Sequence, residues 1–385
     1  MRRTIFTEDH HDFRTVIRKF IAEEVTPHYA DWERQGHVPL ELYRKLGALG
    51  VFGIQVPVEY GGAGVTDLRY SVVIREECAR AGVGFGADVV HTALVLPYLL
   101  EFGSEEQKRR WLPGFLSGEM MTAIAMTEPG TGSDLAGIRT RAELSADGSH
   151  YVLNGAKTFI TGGAQAHRIL VVCRTAPYDP ANRRAGLSIL CVDTASEGFR
   201  VGRKLEKIGL RAQDTAELSF TDVRVPVGDL LGEEGRGFSY LAHNLVVERL
   251  GAAVSGCATA AAAVAFATEY VREREVFGQP VAAFQNTKFV LAECSTEVTA
   301  AQCLADRAVE LHGQGQLTAA DAAKAKLFCT ETAGRVIDKC LQLHGGYGYV
   351  LEYPIARLYA DTRVSRIYAG TSEVMKSIVA KDLGL

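Results

Sequence analysis

The sequence predicts an α+β protein of three consecutive domains, and two changes of residue pattern along the chain predict it. Apolar residues first recur with the period of a helix, then fall into short β-branched runs between turn residues, and finally return to helical spacing over four long segments. We expect an N-terminal α-helical domain over residues 1–119, a small antiparallel β-barrel over 120–226 and a C-terminal four-helix bundle over 227–385.

The first domain begins with an amphipathic segment. Phe13, Ile17, Phe20 and Ile21 are spaced i, i+4, i+7 and i+8, so a helix would place them on one face. Further on, the run that starts at Ser104 reaches a glutamine three residues later, which is typical of a capping box at a helix start. Both patterns predict helices in this domain.

The second domain contains short apolar runs, notably 169–172 and 187–192, which include β-branched residues. The Asp-Gly pair at 147–148 and the Asn-Gly pair at 154–155 predict turns, and the second pair is typical of a two-residue β-hairpin. Because no helical segment separates these runs to serve as a crossover, the short strands favour a small antiparallel barrel.

Helical spacing returns over residues 237–275, 281–312, 318–343 and 355–383, and four long helices in succession favour a bundle. Residues 250–268 carry no charge and are long enough to cross a bilayer, but they consist mostly of alanine, glycine, serine and threonine. Small residues let helices approach closely, and alanine favours the helix. We therefore interpret this stretch as a buried bundle helix and expect no integral membrane segment.

Charge and cysteine usage exclude several classes of function. The formal net charge is −4 and the basic residues are scattered, so we expect no nucleic acid partner. The eight cysteines lie far apart without a Cys-x-x-Cys pair, which argues against a disulfide scaffold and against a metal site. The N-terminal run Met1-Arg2-Arg3 lacks the apolar core of a secretion signal, so we expect a cytoplasmic protein with reduced thiols.

Residues 126–134 form a loop motif at the entry to the second domain. They read Met-Thr-Glu-Pro-Gly-Thr-Gly-Ser-Asp, so the glycines free backbone amides to approach a ligand while Thr127 and Ser133 offer hydroxyl groups. A loop of this kind is by itself more often a simple turn. The whole string, however, closely resembles the first signature of the acyl-CoA dehydrogenases.

Four further segments resemble the same family in the same order. They are 157–163, 274–278 together with Gln285, 342–349 and 366–373. The resemblance implies the family's three-part fold, an FAD cofactor and an acyl-CoA substrate. It also implies electron transfer to electron-transfer flavoprotein, assembly as a homotetramer that is a dimer of dimers, and a role in fatty acid β-oxidation.

The resemblance assigns two groups of residues to the cofactor. Phe159 would stack on the flavin ring, Thr127 and Thr161 would hydrogen-bond to it, and Arg274 with the segment around Gln342 would reach FAD bound mainly by a neighbouring subunit. The cofactor-binding residues implied in this way are Met126, Thr127, Gly132, Ser133, Phe159, Ile160, Thr161, Arg274, Phe277, Phe284, Gln285, Gln342, Leu343, Gly345, Gly346, Thr371 and Glu373. The residues implied for acyl-CoA are Ser133, Val246, Arg249 and Gly370.

Ala369 occupies the position at which many members of the family carry the catalytic glutamate, directly before Gly-Thr. A methyl group cannot accept a proton, but Ala369 keeps the backbone N–H that, in the family, helps to stabilise the enolate oxygen of the thioester. The run around Glu248, which precedes an arginine, resembles the isovaleryl- and long-chain subset, whose base lies on the first bundle helix. That subset has a small residue at the Ala369 position, so Glu248 is the predicted base.

Residue chemistry supports Glu248 independently of the resemblance. Its neighbours Leu245, Val246 and Leu250 form an apolar setting that would raise the pKa of a carboxyl group toward neutral. The alternative is an ordinary helix glutamate that pairs with a nearby arginine. Glu373 is the fallback base, although an acidic residue at that position also suits the first turn of a helix.

The predicted reaction removes a proton from Cα by Glu248 and a hydride from Cβ by flavin N5, which converts an acyl-CoA into the trans-2-enoyl-CoA. Two alternatives stay open at this point. The same fold could host a flavin-dependent oxidase or monooxygenase, and the alanine at position 369 could mark a non-catalytic partner subunit that only binds CoA esters.

Overall fold

The computed structural model describes residues 3–385, so Met1 and Arg2 of the charged N-terminus lie outside it. Within that range, helices and strands occur in three consecutive groups. The α-helices are α1 (Glu8–Phe20), α2 (Tyr29–Gln35), α3 (Leu40–Ala48), α4 (Arg69–Ala81), α5 (Leu96–Phe102), α6 (Glu105–Ser117), α7 (Gly237–Glu273), α8 (Gln285–Gly313), α9 (Ala319–Leu343), α10 (Pro354–Thr362) and α11 (Ser372–Asp382). The strands are β1 (Thr122–Ala125), β2 (Arg141–Leu144), β3 (His150–Thr161), β4 (Arg168–Arg174), β5 (Leu187–Asp193), β6 (Phe199–Lys204), β7 (Thr215–Pro226), β8 (Glu275–Val276) and β9 (Gln279–Pro280).

Buried apolar side chains hold the N-terminal helices together. Ile17 of α1 and Ile21, just after it, are buried, and Phe13 and Phe20 pack against the same core. The amphipathic face predicted for this segment is therefore confirmed, because all four side chains lie on the side of the helix that meets the core.

Two well-defined ends bound α6. The predicted capping box is confirmed, because the Ser104 hydroxyl accepts from Gln107 N (3.2 Å) and Gln107 Oε1 accepts from Ser104 N (3.1 Å). At the other end Gly118 has a φ of 73°, in the left-handed region that favours glycine. A Cβ atom at Gly118 would lie 2.3 Å from the carbonyl oxygen of Tyr43 in α3. The helix therefore ends against the backbone of a second helix.

Gly118→Ala is expected to lower the apparent melting temperature by several degrees more than Gly148→Ala. Both glycines have a positive φ, 73° and 68°, so alanine costs about 1–2 kcal/mol at either position. No atom of residues 3–385 lies within 4 Å of a Cβ at Gly148, whereas a Cβ at Gly118 must displace the backbone of Tyr43, which adds about 2 kcal/mol. Calorimetric scans of the two purified variants measure the difference, and equal shifts would contradict the steric argument.

The seven strands β1 to β7 form one curled sheet in the order β1-β4-β2-β3-β7-β6, with β5 also paired to β4. The predicted β-domain is confirmed, but two of its pairings are parallel instead of antiparallel: β1 with β4, and the start of β2 with the end of β4. A parallel pair requires a crossover connection. Between β1 and β4 that connection contains the β2–β3 hairpin instead of a helix, so the lack of helical segments did not reveal it.

The hairpin turn predicted at 154–155 is wrong. Strand β3 runs straight through both residues, and Gly155 (φ 151°) lies at a register shift in the pairing of β3 with β7. A Cβ atom at Gly155 would lie 2.5 Å from Thr140 Oγ1, so the glycine serves a close approach between chain segments. The turn predicted at 147–148 is confirmed, with Gly148 N donating to Ser145 O (2.9 Å) between β2 and β3.

In the C-terminal part, α9 packs against α7, α8, α10 and α11. The fourth bundle helix, predicted as one segment over 355–383, is two helices, α10 and α11. The first helix ends at Thr362 and is followed by a short 3₁₀ turn at Arg363–Arg366, and Ala369 (φ 52°) and Gly370 (φ 95°) then adopt left-handed backbone angles that separate it from the second helix. Residues 363–371 are named here the α10–α11 loop, and they lie against α9.

The uncharged stretch of the sequence lies in α7. By length and composition this helix could cross a membrane, but 61% of its most apolar 18-residue window is buried inside the protein. Small side chains such as Ala253, Cys257 and Ala263 make up the buried face. The interpretation of the stretch as a buried, closely packed bundle helix is thus confirmed.

Candidate active site

Glu248 lies on a face of α7 that meets α4 and α5. Gly251 and Ser255 follow on the same face at helical spacing, and Arg75 of α4 donates to Ser255 Oγ (2.9 Å). A Cβ atom at Gly251 would lie 3.5 Å from the Arg75 guanidinium. Tyr98 of α5 is fully buried and donates a long hydrogen bond to Glu248 Oε1 (3.5 Å). Side chains from two other helices therefore line the face of α7 that carries the Glu248 carboxyl group.

The surroundings of Glu248 suit a proton acceptor. Burial raises the pKa of its carboxyl group to about 7, against smaller opposing effects of the Arg249 guanidinium and the Tyr98 hydroxyl. A carboxyl group with a pKa near neutral exists partly as carboxylate at physiological pH and still binds a proton readily. Arg249 is only 8% exposed, and its Nε donates to the carbonyl oxygen of Ala369 (3.4 Å). The hydrogen bond of this arginine therefore goes to the backbone at Ala369.

Ala369 lies in the α10–α11 loop, where buried cations bind three successive carbonyl groups. Lys326 Nζ of α9 donates to Tyr368 O (2.6 Å) and also to Gly370 O, and Arg249 donates to the carbonyl between them. Among residues 3–385, no backbone carbonyl accepts a hydrogen bond from Ala369 N–H. One arginine thus joins the helix that carries the carboxyl group to a loop with an available amide N–H.

Lys326 and Tyr98 belong to this site although no sequence motif indicates them. Lys326 is 1% exposed and shares a stripe of α9 with the fully buried Ala322, Ala323 and Cys329. A lysine in an apolar stripe must find partners for its charge, and this is the signal that could have identified it. Tyr98 lies in an apolar run and carries no comparable signal.

The glycine-rich loop after β1 is fastened to β3 by a buried ion pair. Lys157 Nζ donates to Met126 O (2.9 Å) and to Glu128 Oε1 (3.0 Å), and Thr158 N donates to Thr127 O (3.0 Å). Lys157 is 1% exposed and Glu128 is 8% exposed. Glu128 belongs to the motif at 126–134 and Lys157 to the one at 157–163, but only these contacts show that the pair supports the loop. The predicted cofactor residues of the loop, part-buried at its start and exposed at its turn, are Met126, Thr127, Gly132 and Ser133.

Phe159 stands on a bulge of β3, where the pairing register shifts between Lys157 and Ile160. Its φ is 58° and its side chain is 67% exposed, whereas Ile160 is 2% exposed. The exposure excludes a core aromatic residue. A flat exposed ring, with the Thr161 hydroxyl on the same strand and the Thr127 hydroxyl in the adjoining loop, fits a flat aromatic ligand with polar edges, as a flavin is. The residues present therefore fit FAD.

A second group of predicted cofactor residues lies at one end of the bundle, around the β8–β9 hairpin. The Arg274 guanidinium lies 5.6 Å from the centroid of the Tyr347 ring, which brings the segments 274–278 and 342–349 together. Phe277 is 95% exposed, and its ring centroid lies 6.4 Å from that of Phe284. An exposed phenylalanine beside an arginine suits an anionic aromatic ligand or another subunit. The other predicted residues at this end are Gln285, Gln342, Leu343, Gly345 and Gly346.

Thr371 and Glu373 form the start of α11. The Thr371 hydroxyl accepts from Val374 N (3.4 Å), and Glu373 is exposed. Hydrogen bonds with its own backbone amide and with Thr371 lower the pKa of Glu373. A carboxylate held in the first turn of a helix stabilises that turn, so the contacts of Glu373 are those of a helix cap. Two further residues are predicted to bind acyl-CoA, and both are part-buried: Gly370 in the α10–α11 loop and Val246 on α7.

Comparison with known protein families identifies the chain along almost its whole length. Family models described as the N-terminal, middle and C-terminal domains of acyl-CoA dehydrogenase match residues 7–119, 123–223 and 235–384. A relative, the mitochondrial long-chain specific acyl-CoA dehydrogenase of Sus scrofa, is 44% identical over 99% of this chain and 88% of its own. The short-chain specific acyl-CoA dehydrogenase of Clostridium acetobutylicum is 36% identical over 95% of this chain and 96% of its own.

Solved structures with a similar fold point to the same family. The acyl-CoA dehydrogenase of Geobacillus kaustophilus superimposes with a TM-score of 0.94 at 46% identity and covers 99% of both chains. The acyl-CoA dehydrogenase of Bacillus anthracis complexed with FAD gives a TM-score of 0.90 at 32% identity, over 100% of this chain and 69% of that one. A chain in the structure described as the electron transferring flavoprotein of Acidaminococcus fermentans gives 0.91 at 33% identity, over 100% and 99%.

The family, the fold and the cofactor implied by the sequence motifs are thereby confirmed. Relatives more than 30% identical span nearly the whole chain, and three family models follow one another along it in the expected order. The chain belongs to the acyl-CoA dehydrogenase family and is an FAD-dependent oxidoreductase that acts on acyl-CoA.

Proposed function

We propose that this enzyme converts an acyl-CoA into its trans-2-enoyl-CoA and that Glu248 removes the α-proton. The observation that carries the proposal is a pairing of two groups: a carboxyl group whose pKa burial raises to about 7, and the available N–H of Ala369. Arg249 follows Glu248 on α7 and hydrogen-bonds to Ala369 O, so both groups belong to one site. Enolate formation needs a base at Cα and a donor at the thioester oxygen.

Each residue of this site has a separate proposed role. The Glu248 carboxylate takes and holds the α-proton, while Ala369 N–H binds the thioester oxygen as negative charge develops on it. Arg249 lowers the pKa of Glu248 against the effect of burial, so the base is available near neutral pH. When bound, FAD accepts the hydride from Cβ.

The cofactor residues fall into two groups that we assign to different FAD molecules. Phe159, Thr161 and Thr127 would hold the flavin of their own subunit. Arg274 lies 26 residues beyond Glu248 on one helix, which is roughly 39 Å along its axis. Arg274 and its neighbours would therefore reach FAD in a neighbouring subunit, which supports a homotetramer built as a dimer of dimers.

Electron-transfer flavoprotein is the proposed electron acceptor. The likeness to the chain in the structure described as the electron transferring flavoprotein of A. fermentans supports this assignment. The long-chain and short-chain relatives support a role in fatty acid β-oxidation. A cytoplasmic location completes the proposal, and the eight cysteines, which form no disulfide among residues 3–385, are compatible with that compartment.

Anaerobic titration of the FAD-bound enzyme tests the proposed reaction. A saturated acyl-CoA is expected to bleach the visible absorbance of the flavin and to yield the trans-2-enoyl-CoA, and a series of graded chain lengths will identify the preferred acyl group. The corresponding enoyl-CoA is the control and should leave the flavin oxidised. Rapid peroxide formation or substrate oxygenation in air would favour the oxidase or monooxygenase alternative. A purified protein without FAD that never turns over would favour the non-catalytic one.

A further inference from the structure

We propose that Lys326 is a positioning residue for the oxyanion donor: its ammonium group holds the carbonyls on either side of Ala369, so that Ala369 N–H is fixed in its binding orientation. The inference rests on the proposed function, because it concerns the donor that meets the thioester oxygen. Lys326 lies on α9, away from the α7 residues to which the reaction has been assigned.

The argument follows from the geometry of the peptide group. In a trans peptide the C=O and N–H of one unit point in opposite directions. Tyr368 O and Ala369 N–H belong to the same unit, so the hydrogen bond from Lys326 Nζ to Tyr368 O (2.6 Å) directs Ala369 N–H away from α9. Lys326 also donates to Gly370 O, which fixes the peptide two units further on. The unit between them is held by Arg249.

A cation is well suited to this position because three carbonyl oxygens are held here in succession. Ala369 has a φ of 52°, a conformation that residues with a Cβ rarely adopt, so the loop needs outside contacts to keep it. Rotation of the Tyr368–Ala369 peptide unit would relieve the left-handed conformation and would turn the N–H away from its binding direction. The charge of Lys326 opposes that rotation, since it would take one of two carbonyl acceptors away from a buried ammonium group.

The rest of the loop is attached to α9 by separate contacts. Glu331 accepts from Ser372 Oγ (2.6 Å) and from Arg366 (3.3 Å), and a Cβ atom at Gly334 would lie only 3.2 Å from the Arg366 guanidinium. The Glu331 carboxylate interacts electrostatically with Lys326, but its hydrogen bonds to Ser372 and Arg366 hold residues on both sides of the loop centre and do not include the lysine. Loss of the lysine should therefore free the Ala369 peptide while the two ends of the loop stay in place.

The test compares Lys326→Met with Ser372→Ala in FAD-bound enzyme. Ser372→Ala releases one end of the loop from Glu331 without a change of charge near Lys326. Lys326→Met is expected to lower kcat about 10²-fold to 10³-fold with KM changed less than threefold, as for loss of an oxyanion donor. The direct readout uses an acyl-CoA analogue with sulfur in place of the β-methylene, which can lose its α-proton but cannot be oxidised. Deprotonation of the bound analogue is monitored by the long-wavelength absorbance that its anion gives with flavin. In Lys326→Met this deprotonation should require a pH about two units higher. Lys326→Arg should return the required pH most of the way to that of the unmodified enzyme.

An unchanged kcat and unchanged deprotonation of the analogue in Lys326→Met would overturn the proposal. So would an equal loss in Ser372→Ala, since that result would mean general loosening of the loop. If Lys326→Met fails to retain FAD, Lys326→Gln replaces it, because its amide can donate hydrogen bonds without the charge, and the same two readouts decide. Absence of turnover in the unmodified enzyme would instead reject the proposed function itself.

Discussion

Replacement of Glu248 by glutamine is expected to abolish the bleaching of the flavin by acyl-CoA while FAD stays bound. Glutamine preserves the shape and the polar contact to Tyr98, but it cannot accept a proton at neutral pH. Loss of a general base costs about 10²-fold to 10⁴-fold in rate. Anaerobic stopped-flow measurement of flavin reduction gives the rate, and the visible spectrum before mixing gives the FAD content.

Glu373→Gln is the matched control for this experiment. Glu373 is the fallback base, and it lies exposed at the start of α11, so its replacement should leave the rate of flavin reduction in the FAD-bound enzyme within a factor of a few. Because the family resemblance also assigns Glu373 to the cofactor, the FAD content of this variant is measured as well. Full activity in Glu248→Gln would reject the assignment of the base, and loss of activity in Glu373→Gln would transfer the assignment. Ala369→Glu in the Glu248→Gln background tests whether both positions address the same α-proton. Partial recovery of flavin reduction would show that a carboxylate at position 369 can replace the one at position 248.

The pH profile gives a second readout of the same residue. The proposed base must be a carboxylate to accept a proton, and the pKa of Glu248 is about 7, so kcat/KM of the unmodified enzyme should rise as pH increases through 7 and then level off. That rise should be absent from the residual activity of Glu248→Gln. A profile that stays flat from pH 5 to 8 would show that Glu248 is not the titrating base.

Lys157→Met is expected to destabilise the middle domain and to release FAD. The Lys157–Glu128 pair is buried, and removal of one partner from a buried pair costs about 3–5 kcal/mol because it leaves an unpaired charge. Lys157 also holds Met126 O, so the variant frees the loop whose next residue, Thr127, is assigned to the flavin. The apparent melting temperature and the ratio of FAD to protein after gel filtration measure the two effects.

Arg183→Met provides the control on the same loop. The Arg183–Asp134 ion pair is about half exposed on both sides, so its loss should cost less than about 1 kcal/mol and should leave the FAD content unchanged. Similar destabilisation in the two variants would show that burial of the lysine pair has no special role. Retention of full FAD content in Lys157→Met would show that the ion pair is not needed for cofactor binding.

Much of the fold was predictable because local patterns determine it. The capping box at Ser104 and the apolar face around Ile17 act within one or two helical turns, and both are confirmed. The Asn-Gly pair at 154–155 misled because its local preference for a turn is overridden by pairing with β7 and by the approach of Thr140. The break between α10 and α11 was not predicted, because the helical spacing of apolar residues continues across it and the break depends on contacts from other helices.

The candidate site shows the same division between local and distant effects. Glu248 and Ala369 were identifiable because each lies in a short motif, and the structure joins them through Arg249. Lys326 and Tyr98 act on those residues from other helices, and no spacing rule links positions so far apart in the chain. Their roles become visible only when the packing of α5, α7 and α9 brings the atoms within hydrogen-bonding distance.

The raised pKa of Glu248 also couples the stability of the ligand-free enzyme to pH. An ordinary glutamate has a pKa of 4.5, whereas the folded protein raises the value for Glu248 to about 7, so the folded state binds more protons between these values. The stabilising contribution of the protonated carboxyl group is complete below pH 4.5 and is lost as pH rises through 7. Glu248 therefore stabilises the ligand-free enzyme least in the pH range where the proposed base is ionised, and the proposed transfer of a substrate proton to it would restore the protonated form, which favours the folded state.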